Sequence, residues 1–192
     1  MKRILLLSVL MVLFAAFLPA LSLLGLSGGW GMVSFAHEEE GKEVRTGERG
    51  VSLSIDYDYF VSGNLALHCG VDAALSAVTY IGGEKLSSFP GYVLKAGLDY
   101  RNGIVRIGTG IHYRTLNGEE DGKRRSVKSL LLFLESSIVL LPSPSLVLGV
   151  VYGCPLTAYL VKEGESGRKL ELRNRIPDTG SLSVYCGVEY SL

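Results

Sequence analysis

Val51–Val61, VSLSIDYDYFV, decides the fold. Val51, Leu53, Ile55, Tyr57, Tyr59 and Val61 fall on one face of an extended strand, and Ser52, Ser54, Asp56, Asp58 and Phe60 fall on the other. Successive side chains of a strand point to opposite faces, so this alternation predicts a sheet with one apolar and one polar side.

The pattern recurs outward from this stretch. Upstream, the charged segment His37–Gly50 separates it from a glycine-rich strand, Leu23–Ala36, whose register the sequence leaves open. Downstream, Ser62-Gly63-Asn64 is a turn. Leu65–Thr79 then sets Leu65, Leu67, Cys69, Val71, Ala73, Leu75 and Ala77 against Ala66, His68, Gly70, Asp72, Ala74 and Ser76. After Tyr80–Gly91 come the strand Tyr92–Arg101, the hairpin dipeptide Asn102-Gly103 and the strand Ile104–Thr115. The charged segment Leu116–Arg125 leads to Ser126–Leu141, the turn Pro142–Ser145 and Leu146–Leu160. Val161–Gly180 is the longest connection, and Ser181–Leu192 is the last strand. Ser126–Leu141 alternates least, because Leu131, Phe133 and Val139 make its second face apolar too, and a short buried helix competes there. Pro155 removes a ladder hydrogen bond and predicts a bulge or an early strand end.

Eight strands result, and their connections sort by length. Long charged segments follow the first, third, fifth and seventh strands, and short turns follow the second, fourth and sixth. In an up-and-down barrel all long loops then lie at one end, with the short turns and both termini at the other. That is the arrangement of an outer-membrane barrel. The expected fold is therefore all-β, an up-and-down antiparallel eight-stranded transmembrane β-barrel.

Composition bounds the function. Nineteen basic and nineteen acidic residues balance, so no nucleic-acid footprint is present. Mean hydropathy is +0.30 despite 20% charged residues. Lys2 and Arg3 precede the apolar run Ile4–Phe17, Pro19 and the small residues of Ala20-Leu21-Ser22, which reads as a signal peptide over residues 1–22 with the barrel over 23–192. Ser34-Phe35-Ala36 is a competing cleavage site. Cys69, Cys154 and Cys186 are an odd count on the apolar parity, read as small hydrophobes. If the seventh and last strands pair as a hairpin, Cys154 and Cys186 stand nearly opposite and a disulfide is a weak alternative.

Alternation alone does not say which face is inside. A soluble lipocalin-like barrel buries its apolar face and binds an apolar ligand there; a membrane barrel shows that face to lipid. Three features favour lipid. The polar face is rich in small residues, as a narrow eight-stranded lumen requires. Its charges come in both signs, with Asp56, Asp58, Asp72, Asp99, Glu135 and Glu189 against Lys95, Arg101, Arg106 and Arg114, an inventory able to pair itself inside a barrel. Finally, Tyr59, Tyr100 and Tyr190 sit near the short-turn end and Tyr92 and Tyr113 near the long-loop end, as two aromatic girdles, with mid-strand Tyr57 outside the pattern.

This architecture resembles the small outer-membrane barrels of the OmpA-transmembrane-domain, OmpX and opacity-protein kind, over residues 23–192. The last strand, LSVYCGVEYSL, keeps the alternation those families show, with Tyr190 near the end, but closes on Leu192 where an aromatic is usual. The resemblance implies a bacterial outer-membrane location and lipopolysaccharide around the barrel. It also implies periplasmic chaperones and the barrel-assembly machinery as transient partners of a monomer.

No catalytic, cofactor or metal motif stands out. His68 and His112 are expected near opposite ends of the polar face, too far apart to share a metal. A lipid-modifying enzyme would need a hydroxyl, a base and an acid near the interface, and Ser126 and Ser129 are the only hydroxyls near His112. Asp56 and Asp58 read as members of the charge network rather than as a catalytic dyad. An open porin needs about sixteen strands. The expected role is structural or surface-interacting, through the charged segments His37–Gly50, Leu116–Arg125 and Val161–Gly180.

Overall fold

The computed structural model describes residues 22–39, 42–81, 84–120, 122–142, 144–162, 167–170, 172 and 179–192. The signal segment therefore lies, apart from Ser22, outside the described residues. Among them all regular structure is strand: β1 (Ser22–Glu39), β2 (Lys42–Phe60), β3 (Leu65–Ile81), β4 (Glu84–Asn102), β5 (Val105–Glu120), β6 (Lys123–Pro142), β7 (Ser145–Lys162), the two-residue β8 (Arg168–Lys169) and β9 (Gly180–Ser191). Every neighbouring pair is antiparallel, and β6–β7, β7–β9 and β9–β1 pairing closes a ring of eight strands, with β8 attached to the outer part of β7.

The alternation is realised as the sequence predicts. Leu53 and Ile55 are more than half exposed, while Ser54 and Asp58 are buried against the lumen. With the polar side inside a closed barrel, the apolar side forms the outer belt. β1 resolves its register: Gly25, Ser27, Gly29 and Gly31 line the lumen cavity, and Trp30 and Met32 face out. β6 is a strand and not a helix. Leu131 and Phe133 point inward and Leu132 and Leu134 outward, because its inner positions contribute an apolar layer to the lumen.

Three of the four charged segments read as loops are ladder instead. β1–β2, β3–β4 and β5–β6 pair out to Glu39↔Lys42, Ile81↔Glu84 and Glu120↔Lys123, leaving two-residue tips. A strand of 18 residues is ~59 Å long at ~3.3 Å per residue and spans ~45 Å along the axis of a barrel tilted ~40°. Only ~25 Å of that height meets the apolar membrane band. The outer half therefore stands in water, and there the face preference inverts. Charged Glu38, Lys42, Glu43 and Lys123 face out, while Val33, Phe35, Leu116, Val127, Ala158, Leu160 and Leu170 pack inside as an apolar core. At the other end, Gly103 takes φ +60° as the first residue of a two-residue loop closed by Asn102↔Val105. The turn is Gly103-Ile104, one residue later than the Asn-Gly dipeptide suggests, and Ile104 belongs to it.

Bulges set the registers. β7 carries the one expected at Pro155: Leu131 pairs Pro155 and Leu130 pairs Thr157, so Leu156 is the extra residue. Beyond it the parity flips and Ala158 and Leu160 turn inward. A second bulge leaves Leu75 unpaired on β3, so Ala77 lines the lumen and does not share the outer face with Leu75 as alternation predicts. The Cys154–Cys186 disulfide is excluded: Cys186 stands opposite Leu148, six positions from Cys154, and all three cysteines are free.

Candidate functional site

The lumen is the one place where titratable side chains gather. Asp58 on β2, His68 on β3, Asp99 and Arg101 on β4, Arg106 on β5, Glu135 on β6 and Glu189 on β9 converge near the short-turn end, because each occupies an inward position of its strand. Arg101 makes a two-pronged contact with Glu189, at 2.8 and 3.0 Å, and reaches Asp58 at 2.6 Å. Its guanidinium also lies 5.5 Å from the Phe60 ring centre. Arg106 is the hub: its Nη1 meets Glu189 at 2.7 Å and Asp58 at 3.4 Å, its Nη2 contacts Asp99, and its Nε lies 3.8 Å from Glu135. Tyr185 donates to Glu135 at 2.5 Å.

A second cluster sits one layer toward the outer end. Lys95 holds Asp72 at 2.6 Å and Asp56 at 3.2 Å and donates to Ser54 at 2.9 Å; Ser54 in turn donates to Asp56. His68 links the two, with Nδ1 2.7 Å from Asp58 and Nε2 3.6 Å from Asp56. Of the eight residues predicted for the network, Asp56, Asp58, Asp72, Lys95, Asp99, Arg101 and Arg106 thus meet in the lumen. Arg114 stands apart beside Glu48 on the cavity wall. Paired burial is the physical requirement for such charges, since an isolated ion inside would cost several kcal/mol.

Asp58, His68 and Asp99 have the donor types of a metal site, with their ligand atoms within 4.8 Å of one another. The Arg106 guanidinium already contacts all three, at 3.1 Å from His68 Nδ1, so a cation of the chain's own occupies that position.

Above this layer the two histidines meet, contrary to the expected separation. His112 stacks on Phe133 at 4.1 Å and His68 meets the same ring edge-on at 6.4 Å. The ladder explains it: His68, Gly97, Gly110 and Phe133 form one cross-strand row. Two adjacent glycines leave room for the Phe133 ring, whose edge lies 3.0 Å from where a Gly97 Cβ would stand. His112 Nε2 and Ser129 Oγ each lack a hydrogen-bond partner among the described residues, so they do not form a nucleophile–base pair. A cavity of about 70 Å3 runs along the Gly/Ser wall of β1, β2 and β9, room for a few waters.

The outer belt carries the tyrosines. Tyr100 and Tyr190 are about half exposed at the short-turn end with Tyr59 beside them, and Tyr92 and Tyr113 contact each other at 6.4 Å at the other. Trp30, Tyr152 and Tyr159 also face outward. Between them lies a continuous surface of exposed Leu, Ile and Val, such as Leu26, Ile55, Ile107, Leu134 and Val184. A closed barrel with that exterior and a charged interior is a transmembrane β-barrel, since water would not leave so much apolar area uncovered. His68, Tyr185 and Phe133 are the members of the lumen that charge counting missed. Each sits on an inward parity, which was the available signal.

No protein-family model and no curated protein matches the chain. Its fold is that of small eight-stranded outer-membrane barrels. Neisserial surface protein A, at 14% identity, superposes with a TM-score of 0.54 over 89% of this chain and 97% of its own. The outer-membrane protein AlkL in lipid bilayers, at 13% identity, gives 0.53 over 90% and 92%.

Proposed function

We propose that the protein is a closed, non-enzymatic barrel of the bacterial outer membrane that serves as a rigid stalk presenting its outer hairpins to the exterior. The observation that carries this reading is the filled lumen. The ion-paired layer blocks the short-turn half, Phe133 and Leu131 cross the middle, and the Phe35–Leu116–Val127–Leu160 core closes the mouth. What remains accessible is the charged outer surface of β1–β2 and β5–β8. An enzyme reading finds no support in the unpaired His112 and Ser129.

Planar-bilayer recording of the purified protein tests it: no steady conductance is expected, and a defined open level would overturn the closed-barrel reading. Replacing residues 37–46 by a two-residue turn should leave heat-modifiable gel migration intact while removing surface binding to host or bacterial partners.

A further inference from the structure

On the outer face of β5–β8, just beyond the lipid-facing run, the bulge at Leu156 opens a concavity of about 280 Å3. Its floor and walls are apolar, from Tyr113, Leu130, Thr157, Tyr159 and Val161. An extra residue increases the local strand twist, which is why the sheet is dished at this point. Directly above it, Lys128, Tyr159 and Lys169 form one cross-strand row, since Lys128 pairs Tyr159 and Tyr159 pairs Lys169. Paired residues of an antiparallel ladder share a face, and both lysines are exposed. Arg168 follows in the same short strand.

Two strand spacings put the Lys128 and Lys169 Cα atoms ~10 Å apart, a distance that two lysine side chains close around one tetrahedral anion. The nearest outward acid in the β5–β6 ladder, Glu119, faces Arg124, four residues farther out. Neither lysine has an acidic partner among the described residues.

We propose that this concavity is a binding site for a phosphate-bearing lipid of the outer leaflet, with the phosphate between Lys128 and Lys169 and an acyl chain against Leu130, Thr157 and Tyr113. The charge and the position select this occupant. An apolar trough at the upper edge of the aromatic belt, topped by cations, complements an amphiphile with an anionic head. The proposal rests on the membrane-barrel reading above.

The test is native mass spectrometry of the delipidated barrel titrated with a bis-phosphorylated, acylated glucosamine disaccharide and with its dephosphorylated form. The parent should bind the phosphorylated lipid at least tenfold more tightly. Lys128→Gln with Lys169→Gln should bring the two lipids within about twofold, and Thr157→Trp, which fills the trough, should weaken both. Lys42→Gln, an exposed charge on another hairpin, should change nothing. Equal binding of the two lipids by the parent, or an undiminished phosphate preference in the double variant, overturns the site. Heat-modifiable migration of each variant separates this failure from a failure of the barrel itself.

Discussion

Removing the Arg106 guanidinium tests the lumen most directly. Four carboxylates face it, those of Asp58, Asp99, Glu135 and Glu189, and Arg101 reaches only two of them, Asp58 and Glu189. Arg106→Met keeps most of the stem and its packing but leaves Asp99 and Glu135 with no cation in contact. Breaking one buried pair costs about 3–5 kcal/mol because the partner charge stays desolvated. At about 1.4 kcal/mol per decade, that is roughly a hundred- to several-thousand-fold in the folding equilibrium. Two carboxylates are stranded here, so the lower figure is a floor.

The assay is urea unfolding from lipid vesicles, followed by heat-modifiable migration and by the emission of the sole tryptophan, lipid-facing Trp30. Arg106→Lys should fall between parent and Met, since an ammonium cannot fork to two carboxylates. Arg106→Met with Asp99→Asn and Glu189→Gln should recover more than half of the loss, because it removes the stranded charge. An Arg106→Met protein within about 1 kcal/mol of the parent would refute the claim that these ions are dry and interdependent.

Other outcomes follow from the register and the packing. Phe133→Ala should cost about 3–5 kcal/mol in the same assay, since it empties the layer that His68 and His112 pack against. Leu148→Cys should give an intramolecular disulfide with Cys186 on mild oxidation, read as a mass loss of two hydrogens, while the parent should titrate three free thiols when denatured; a Cys154–Cys186 bond in the parent would refute the pairing. Deleting Leu156 should remove the β7 parity switch, turn Ala158 and Leu160 outward and expose the 162–172 segment to protease; unchanged resistance would show that the bulge is not what closes the mouth.

Much of this barrel is legible where each strand meets lipid on one side and a crowded lumen on the other. VSLSIDYDYFV and LSVYCGVEYSL alternate cleanly because both environments are demanding. β1 is not legible, since it places glycine on both faces, Gly25, Gly29 and Gly31 inward and Gly28 toward Leu53. The outer hairpins read as loops because in water the pattern inverts. A single inward Leu116 among Asn117, Gly118 and Glu119 carries too little periodicity to stand out. The lumen charges are legible as an inventory, but their partners are not. That His68 reaches Phe133 and that Cys186 faces Leu148 depend on the stagger between strands, which is a property of the closed ring and not of any one segment.

The apolar core at the mouth also gives insertion a direction. Burying Phe35, Leu116, Val127 and Leu160 together is favourable only where the alternative is water, because lipid tails solvate the same side chains about as well. The hairpins gain nothing from collapsing while they cross the bilayer and gain the full hydrophobic drive once they emerge. The collapsed mouth then works as a latch: to slide back, each hairpin would have to dissolve that cluster and drag its charged tip residues through the membrane interior. The same residues that stop up the barrel therefore hold it in place.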